Sequence, residues 1–304
     1  ERLIKLVAID LDGTLLNSEL KIPEGVKKEL KRLKDAGHYL FVASGRPLAF
    51  ISNQIIEAGF DGFLECNGAH VELNHNIIFE NRIPYEKVIG LMKMLESVDC
   101  EYNYETATDC YIDPAYHNFI EFFKICDIRH EKLITNFDKE EVMHRTLKIE
   151  ISAKKDHDKI IDYIADKFYF DHHGTANSFE ICALDTSKAT GVEKVLEHLK
   201  IDKDHSYAFG DGLNDLEMIK YAGHGIAMKN AVKELKDVAD EVIGHVDENG
   251  LETYNQKFYY LINLKCWPGL MKSNKPKSSS FTLPIKFLSP SFGISVKTTS
   301  NSPR

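Results

Sequence analysis

At 304 residues, 43% hydrophobic and 28% charged, the chain has the make-up of a globular protein with room for one large domain or two. A formal net charge of −9 argues against a nucleic-acid-coating surface, and no uninterrupted apolar run approaches the roughly 18 residues of a membrane span. The six cysteines are scattered without a CxxC pair, as befits reduced thiols, so the expectation is a soluble, cytoplasmic protein, a monomer or weak homo-oligomer, with no nucleic-acid or membrane partner.

The first predicted element is an apolar strand over residues 4–9, which runs into the carboxylates of VAIDLDGTLL. A helix follows: Val26, Leu30 and Leu33 recur at helical spacing, with Pro23 near the start and Gly37 just past the end. YLFVAS (39–44) is a second apolar strand, completing a strand-helix-strand unit. After Pro84 the pattern changes to a helix (85–98), two polar strands (100–104 and 109–112) and a helix (115–125). A strand (146–152), a helix (156–168) and a closing strand pair (169–172 and 178–183) follow. The α/β character then returns with strands at 206–211 and 224–228 and helices at 191–199 and 215–222. Strands this short and continuously apolar suit a parallel sheet covered on both faces. The expected fold is therefore a Rossmann-like α/β core (1–83 and 187–262) interrupted by an α+β insertion (84–186). Residues 263–304 hold no acidic residue but five of the nine prolines, and read as a disordered or non-native tail.

Asp10 and Asp12 sit two residues apart where the first strand ends. In an extended chain both carboxylates face the same way, and unpaired like charges so close imply a cation beside them. Taken alone, DG is also an ordinary turn, in which Gly13 and Thr14 favour tight backbone geometry. GDGLND (210–215) ends a second apolar strand and brings Asp211 and Asp215 to the same sheet edge. Four carboxylates with no soft ligand describe a hard-cation site, for which Mg²⁺ is the natural occupant. Ser44 and Gly45 end a third strand with a hydroxyl and an approachable backbone N–H. Lys188 places a compact positive charge near a helix start, where phosphate is favoured. Each of these two is singly a commonplace of turns or surfaces; their placement at the ends of strands of one sheet is what joins them.

DLDGT (10–14), Ser44 in VASGR, Lys188 in SKATG and GDGLND resemble, in order, the four motifs of the haloacid dehalogenase superfamily. NGA (67–69), AGHGIAMKNAV (222–232) and ADEVI (239–243) resemble its Cof-type sugar-phosphatase branch, which carries a large cap between the second and third motifs. The resemblance implies a Mg²⁺-dependent hydrolase of small phosphorylated metabolites. Asp10 is then the nucleophile that becomes an aspartyl phosphate, and Asp12 the general acid and base. Asp10, Asp12, Asp211 and Asp215 are the implied metal set, with Asp12 contributing its carbonyl and Asp215 either a further ligand or a brace behind the others. Ser44, Lys188 and Asn214 are implied to hold the phosphate, and Gly45, Arg46, Asn67 and Gly68 lie where substrate can be touched. Arg46 suits either substrate contact or pairing with an acidic neighbour. A phosphomutase of the same superfamily and a catalytically silent phosphometabolite-binding protein are the alternatives. A dehalogenase needs no second acid at Asp12, and a phospho-aspartate receiver needs no insertion of about 100 residues.

Overall fold

The structure, a computed structural model, describes residues 4–126, 128–173, 177–254 and 256. The expected tail at 263–304 lies outside the described residues. The chain begins with β1 (Leu6–Asp10), α1 (Glu24–Asp35), β2 (Tyr39–Ala43), α2 (Asn53–Ile56), β3 (Gly62–Glu65), β4 (His70–Leu73) and β5 (Asn76–Glu80). Next come α3 (Tyr85–Leu95), β6 (Cys100–Glu105), β7 (Cys110–Ile112), α4 (His117–Ile125) and β8 (Leu133–Ile134). They are followed by α5 (Lys139–Met143), β9 (Lys148–Ala153), α6 (His157–Ile164), β10 (Phe168–His173) and β11 (Ser178–Ala183). Then α7 (Lys188–Leu199), β12 (Ser206–Gly210), α8 (Leu216–Tyr221), β13 (His224–Ala227), α9 (Lys233–Lys236) and β14 (Glu241–Val242) follow.

The first sheet runs β14-β13-β12-β1-β2-β3-β4-β5. From β14 to β3 it is parallel and, as its apolar strands predict, covered on both faces. Val7 and Ile9 pack with Val26, Leu30 and Leu33 of α1, while Leu6 and Ala8 pack with Val192, Val195 and Leu196 of α7. Burying a side chain of this kind is worth roughly 1.5–3 kcal/mol, which holds β1 in the middle of the sheet and carries Asp10 into the interior with it. The α1 signals hold as well: Pro23 precedes the first turn, and Gly37, at φ 82°, follows the last.

Beyond β3 the sheet is extended by strands of the opposite sense. β3, β4 and β5 are joined by antiparallel pairings, because the connections of a few residues between them are far too short for a parallel crossover. Asn74 and His75, both at positive φ, make the tight turn between β4 and β5.

All strands from β6 to β11 form a second sheet, ordered β10-β11-β9-β6-β7-β8. Its strands alternate. Tyr104, Ile149, Ile151, Phe179 and Ile181 pack against Val88 and Leu91 of α3, Val142 of α5 and Ile160 and Ile164 of α6. The neighbouring positions Glu105, Lys148, Glu150, Glu180 and Cys182 are register partners of one another on the opposite face. Tyr102 and Tyr104 thereby belong to packing, as their aromatic character predicts. Among the described residues no helix is long and apolar enough to cross a membrane.

Candidate active site

β1 is the point at which the strand order reverses: the chain passes from β1 to β2 on one side, and β12 pairs with β1 on the other. Open α/β sheets leave a crevice at the carboxyl ends of strands around such a point. Asp10 closes β1, Asp211 follows β12 directly, Ser44 follows β2, and Lys188 opens α7. The sequence's candidates therefore meet because four elements end at one edge of the sheet.

Lys188 lies at their centre, fully buried. Its Nζ donates to Asp10 Oδ1 at 2.7 Å and to Asp215 Oδ1 at 2.6 Å. The other Asp215 oxygen accepts the backbone N–H groups of Asp211 (2.9 Å) and Gly212 (3.0 Å). Asp215 is thus a brace that shapes the GDGLND turn while pairing with Lys188. Thr14 donates its hydroxyl to Asp211 Oδ1 at 3.0 Å. Gly13, at φ 85°, leaves no space for a side chain, since a Cβ there would stand 2.4 Å from Asp211 Oδ2.

Electrostatics follow from this burial. Loss of water pushes the Asp10 carboxyl well above the ordinary carboxylate range, and the charges of Asp215 and Asp211 push the same way against Lys188. Asp211 is raised by burial and by Asp215. Burial alone would lower the Lys188 ammonium, but Asp10 and Asp215 outweigh it and hold the group firmly protonated. Oxygens of Asp10, Asp211 and Asp215 lie within 4.8 Å of one another. Ionised together, the three carboxylates would exceed the one ammonium by two negative charges, and the donor set is all oxygen. A divalent hard cation fits both facts.

Asp12 does not join that cluster. β1 stops at Asp10, so the two-residue alternation of a strand no longer governs residue 12, and its side chain is 46% exposed. Arg46 grips it from Nε (2.8 Å) and Nη2 (2.6 Å), while Arg46 Nη1 donates to the Phe50 carbonyl. Of the two uses that suit Arg46, pairing with an acidic neighbour is the one seen. Ser44 is buried, and its hydroxyl accepts the Arg46 N–H at 3.0 Å. A Cβ on Gly45 would meet Glu180, Asn67 and Asn214 side-chain atoms at 3.0, 3.1 and 3.5 Å. Asn67, at φ 56° and fully buried, accepts from Asn214 Nδ2 and donates to Glu180 Oε2, each at 3.1 Å. Gly68 does not face the second sheet: a Cβ there would sit 2.2 Å from the Ser187 carbonyl oxygen.

Three residues at the site escaped sequence reasoning. Asn230 donates to the Gly13 carbonyl at 2.7 Å and accepts the Val246 N–H, tying the turn after β1 to the far side of the sheet. Its signal was available, since it closely follows the apolar strand 224–228 just as Asp211 follows its own. Lys148 and Glu180 come from the second sheet. Nζ of Lys148 donates to the Gly45 carbonyl at 2.7 Å and pairs with Glu180 Oε1 (3.2 Å) and Glu105 Oε2 (3.0 Å). Alternation of charged and apolar residues in KIEISA marks that face, but nothing local says what it meets.

A profile of haloacid dehalogenase-like hydrolases matches residues 7–254, most of the chain and all four motif segments. The chain belongs to that family. Among its relatives, a Bacillus subtilis protein named as the phosphatase YkrA is 30% identical over 250 residues, covering 81% of this chain and 95% of the relative. Another from the same organism, named 5-amino-6-(5-phospho-D-ribitylamino)uracil phosphatase YitU, is 27% identical over 265 residues, covering 84% and 98%. The solved structure of the subclass IIB sugar phosphatase BT4131 superposes with a TM-score of 0.73 at 24% identity, covering 84% of this chain and 98% of that one, and shows the shared fold. This haloacid dehalogenase-like hydrolase is a phosphatase.

Proposed function

We propose that the protein is a Mg²⁺-dependent phosphatase of small phosphorylated metabolites, sugar phosphates among them, acting through a phosphorylated Asp10. One observation carries the reading: the buried Asp10–Lys188–Asp215 array, with Asp211 beside it, lies at the carboxyl end of the central strand. Asp10, Asp211 and the Asp12 carbonyl would hold Mg²⁺, with Asp215 as a further ligand or as the brace of the set, and the ion would supply charge neutralisation to a phosphoryl group there. Asp10 attacks phosphorus with one carboxylate oxygen, the ester oxygen leaves with its electron pair, and the protein becomes an aspartyl phosphate. Asp12 gives that leaving oxygen its proton and then takes one from the water that hydrolyses the intermediate. To do so it swings out of its pair with Arg46, an exchange that its partial exposure makes inexpensive. Lys188, Ser44 and Asn214 surround the position where transition-state charge spreads.

Residues 84–186 form, in this reading, a cap whose polar sheet face closes over the crevice and excludes water. The bonds from Lys148 to Gly45 and from Glu180 to Asn67 support that arrangement. The test is a screen of phosphate release from sugar phosphates, 5-amino-6-(5-phospho-D-ribitylamino)uracil and a small aryl phosphate. EDTA should abolish turnover and Mg²⁺ should restore it, whereas Ca²⁺ should inhibit because its longer, looser coordination misplaces the reacting groups. Full activity in EDTA would sink the metal assignment.

A further inference from the structure

We propose that Glu180, a residue of the second sheet, is a positioning residue that sets which way the side-chain amides of Asn67 and Asn214 face. The inference rests on the reading above in one respect, that an N–H of Asn214 serves the phosphate. An ionised carboxylate can only accept hydrogen bonds, whereas an amide presents an acceptor on one side and a donor on the other. Glu180 Oε1 is taken by the Lys148 ammonium at 3.2 Å. Oε2 faces Asn67 at 3.1 Å and compels it to turn Nδ2 toward the carboxylate. The Asn67 Oδ1 is then directed at Asn214, which must answer with its own Nδ2, again at 3.1 Å. The second N–H of that same Nδ2 is left for phosphate, and Asn214 Oδ1 is turned toward Gly212. Polarity thus passes from the second sheet to the GDGLND turn through two bonds, fixed at its origin by a group with no donor.

Lys148 anchors the origin of this relay. It also holds the Gly45 carbonyl and Glu105, which fix its Nζ in place, so a Glu180 that turned both oxygens elsewhere would forfeit a charge-assisted bond to a stationary buried ammonium. Asn67 is buried and held at φ 56°, where asparagine is tolerated, so it transmits orientation rather than moving away.

Chemistry can be exchanged along the relay without changing its shape. In Glu180→Gln the new amide keeps its oxygen on Lys148 and offers N–H to Asn67. Two donors then meet, and relief requires Asn67 and, after it, Asn214 to flip. Asn67→Asp sets two carboxylates against each other. Combining the two substitutions restores the pattern: the introduced glutamine amide donates to the introduced aspartate, whose other oxygen accepts from Asn214 Nδ2 as before.

The first measurement is the side-chain ¹⁵N–¹H amide signal of Asn214 in the protein without ligand. The second is the affinity for inorganic phosphate with Mg²⁺ present, by calorimetry. The Asn214 signal should shift in Glu180→Gln and return in Glu180→Gln/Asn67→Asp. Phosphate binding should fall about tenfold in Glu180→Gln, the worth of one hydrogen bond, and recover to within about twofold in the pair. Loss of turnover in Glu180→Gln should be equal for a small aryl phosphate and a sugar phosphate. An unmoved Asn214 signal, or no recovery in the double variant, overturns the relay. A loss confined to the larger ester also overturns it, making Glu180 a substrate contact. If the Asn214 signal shifts and returns but phosphate binding is indifferent, the relay stands and the phosphate role of Asn214 falls.

Discussion

Asp10 and Asp12 are two residues apart and live in different surroundings. Asp10 is buried, paired with Lys188 and crowded by two further carboxylates; Asp12 is half exposed and gripped by Arg46. The difference fits a nucleophile that must not wander and an acid-base group that must. Asp10→Asn should abolish turnover of every ester, because an amide cannot serve as the attacking carboxylate. Asp12→Asn loses proton transfer alone, a deficit of about 10²–10⁴-fold. With an activated aryl phosphate, whose leaving group needs little help, this variant should still release one burst of phenol and stall as a phosphorylated protein visible as an added phosphoryl mass. A burst from Asp10→Asn and none from Asp12→Asn would reverse the two roles.

At the scale of elements, the turn at residues 66–68 and the start of α7 are built against each other. Gly68 sits at φ 91°, and a Cβ on it would lie 2.2 Å from the Ser187 carbonyl oxygen and 3.3 Å from the Lys188 Cα. Ser187 caps α7 through the Thr190 N–H, so pushing it aside moves the first turn and Lys188 with it. Left-handed backbone also costs an alanine about 1–2 kcal/mol. Gly68→Ala should therefore lower the melting temperature by several degrees and depress activity on aryl and sugar phosphates alike. A defect restricted to the larger esters would return the turn to substrate recognition, the role that its NGA motif implies by resemblance.

At the scale of the whole molecule, the second sheet buries charge where it meets the turn after β2. Burial pushes Glu105 up to about 8 from its ordinary value of 4.5, helped by Glu150 and Glu180 and opposed by Lys148. Between those pH values the unfolded chain releases a proton that the folded protein keeps. Stability from this group is present below its unfolded pKa and drains away as pH rises toward 8, by up to about 1.4 kcal/mol per unit. Glu105→Gln has no proton to release. Its melting temperature, compared with that of the unaltered protein, should match or fall below it near pH 5 and gain steadily on it up to pH 8. A difference that stays flat across that range would mean Glu105 is ionised in the fold throughout.

What the sequence determined by itself was whatever depends on neighbours along the chain. The apolar run before Asp10, the helix spacing of Val26, Leu30 and Leu33, and the glycine turns of DLDGT and GDGLND were legible because periodicity and turn chemistry are local. Strand ends are local too, so the list of residues at one sheet edge could be written from four segments far apart in number. Only the tertiary structure decided how those residues divide the work. Alternation predicted that Asp10 and Asp12 converge, but β1 ends between them and an arginine 34 positions away claims the second. Lys188 looked like any lysine at a helix start until the fold set it against Asp10, 178 positions away. Glu180 and Lys148 gave only the alternation of a half-buried strand, and what a sheet face meets is set by packing at long range. Charges so placed take their partners, and hence their protonation and orientation, from whichever segments burial drives together, and that choice is made by the whole core at once.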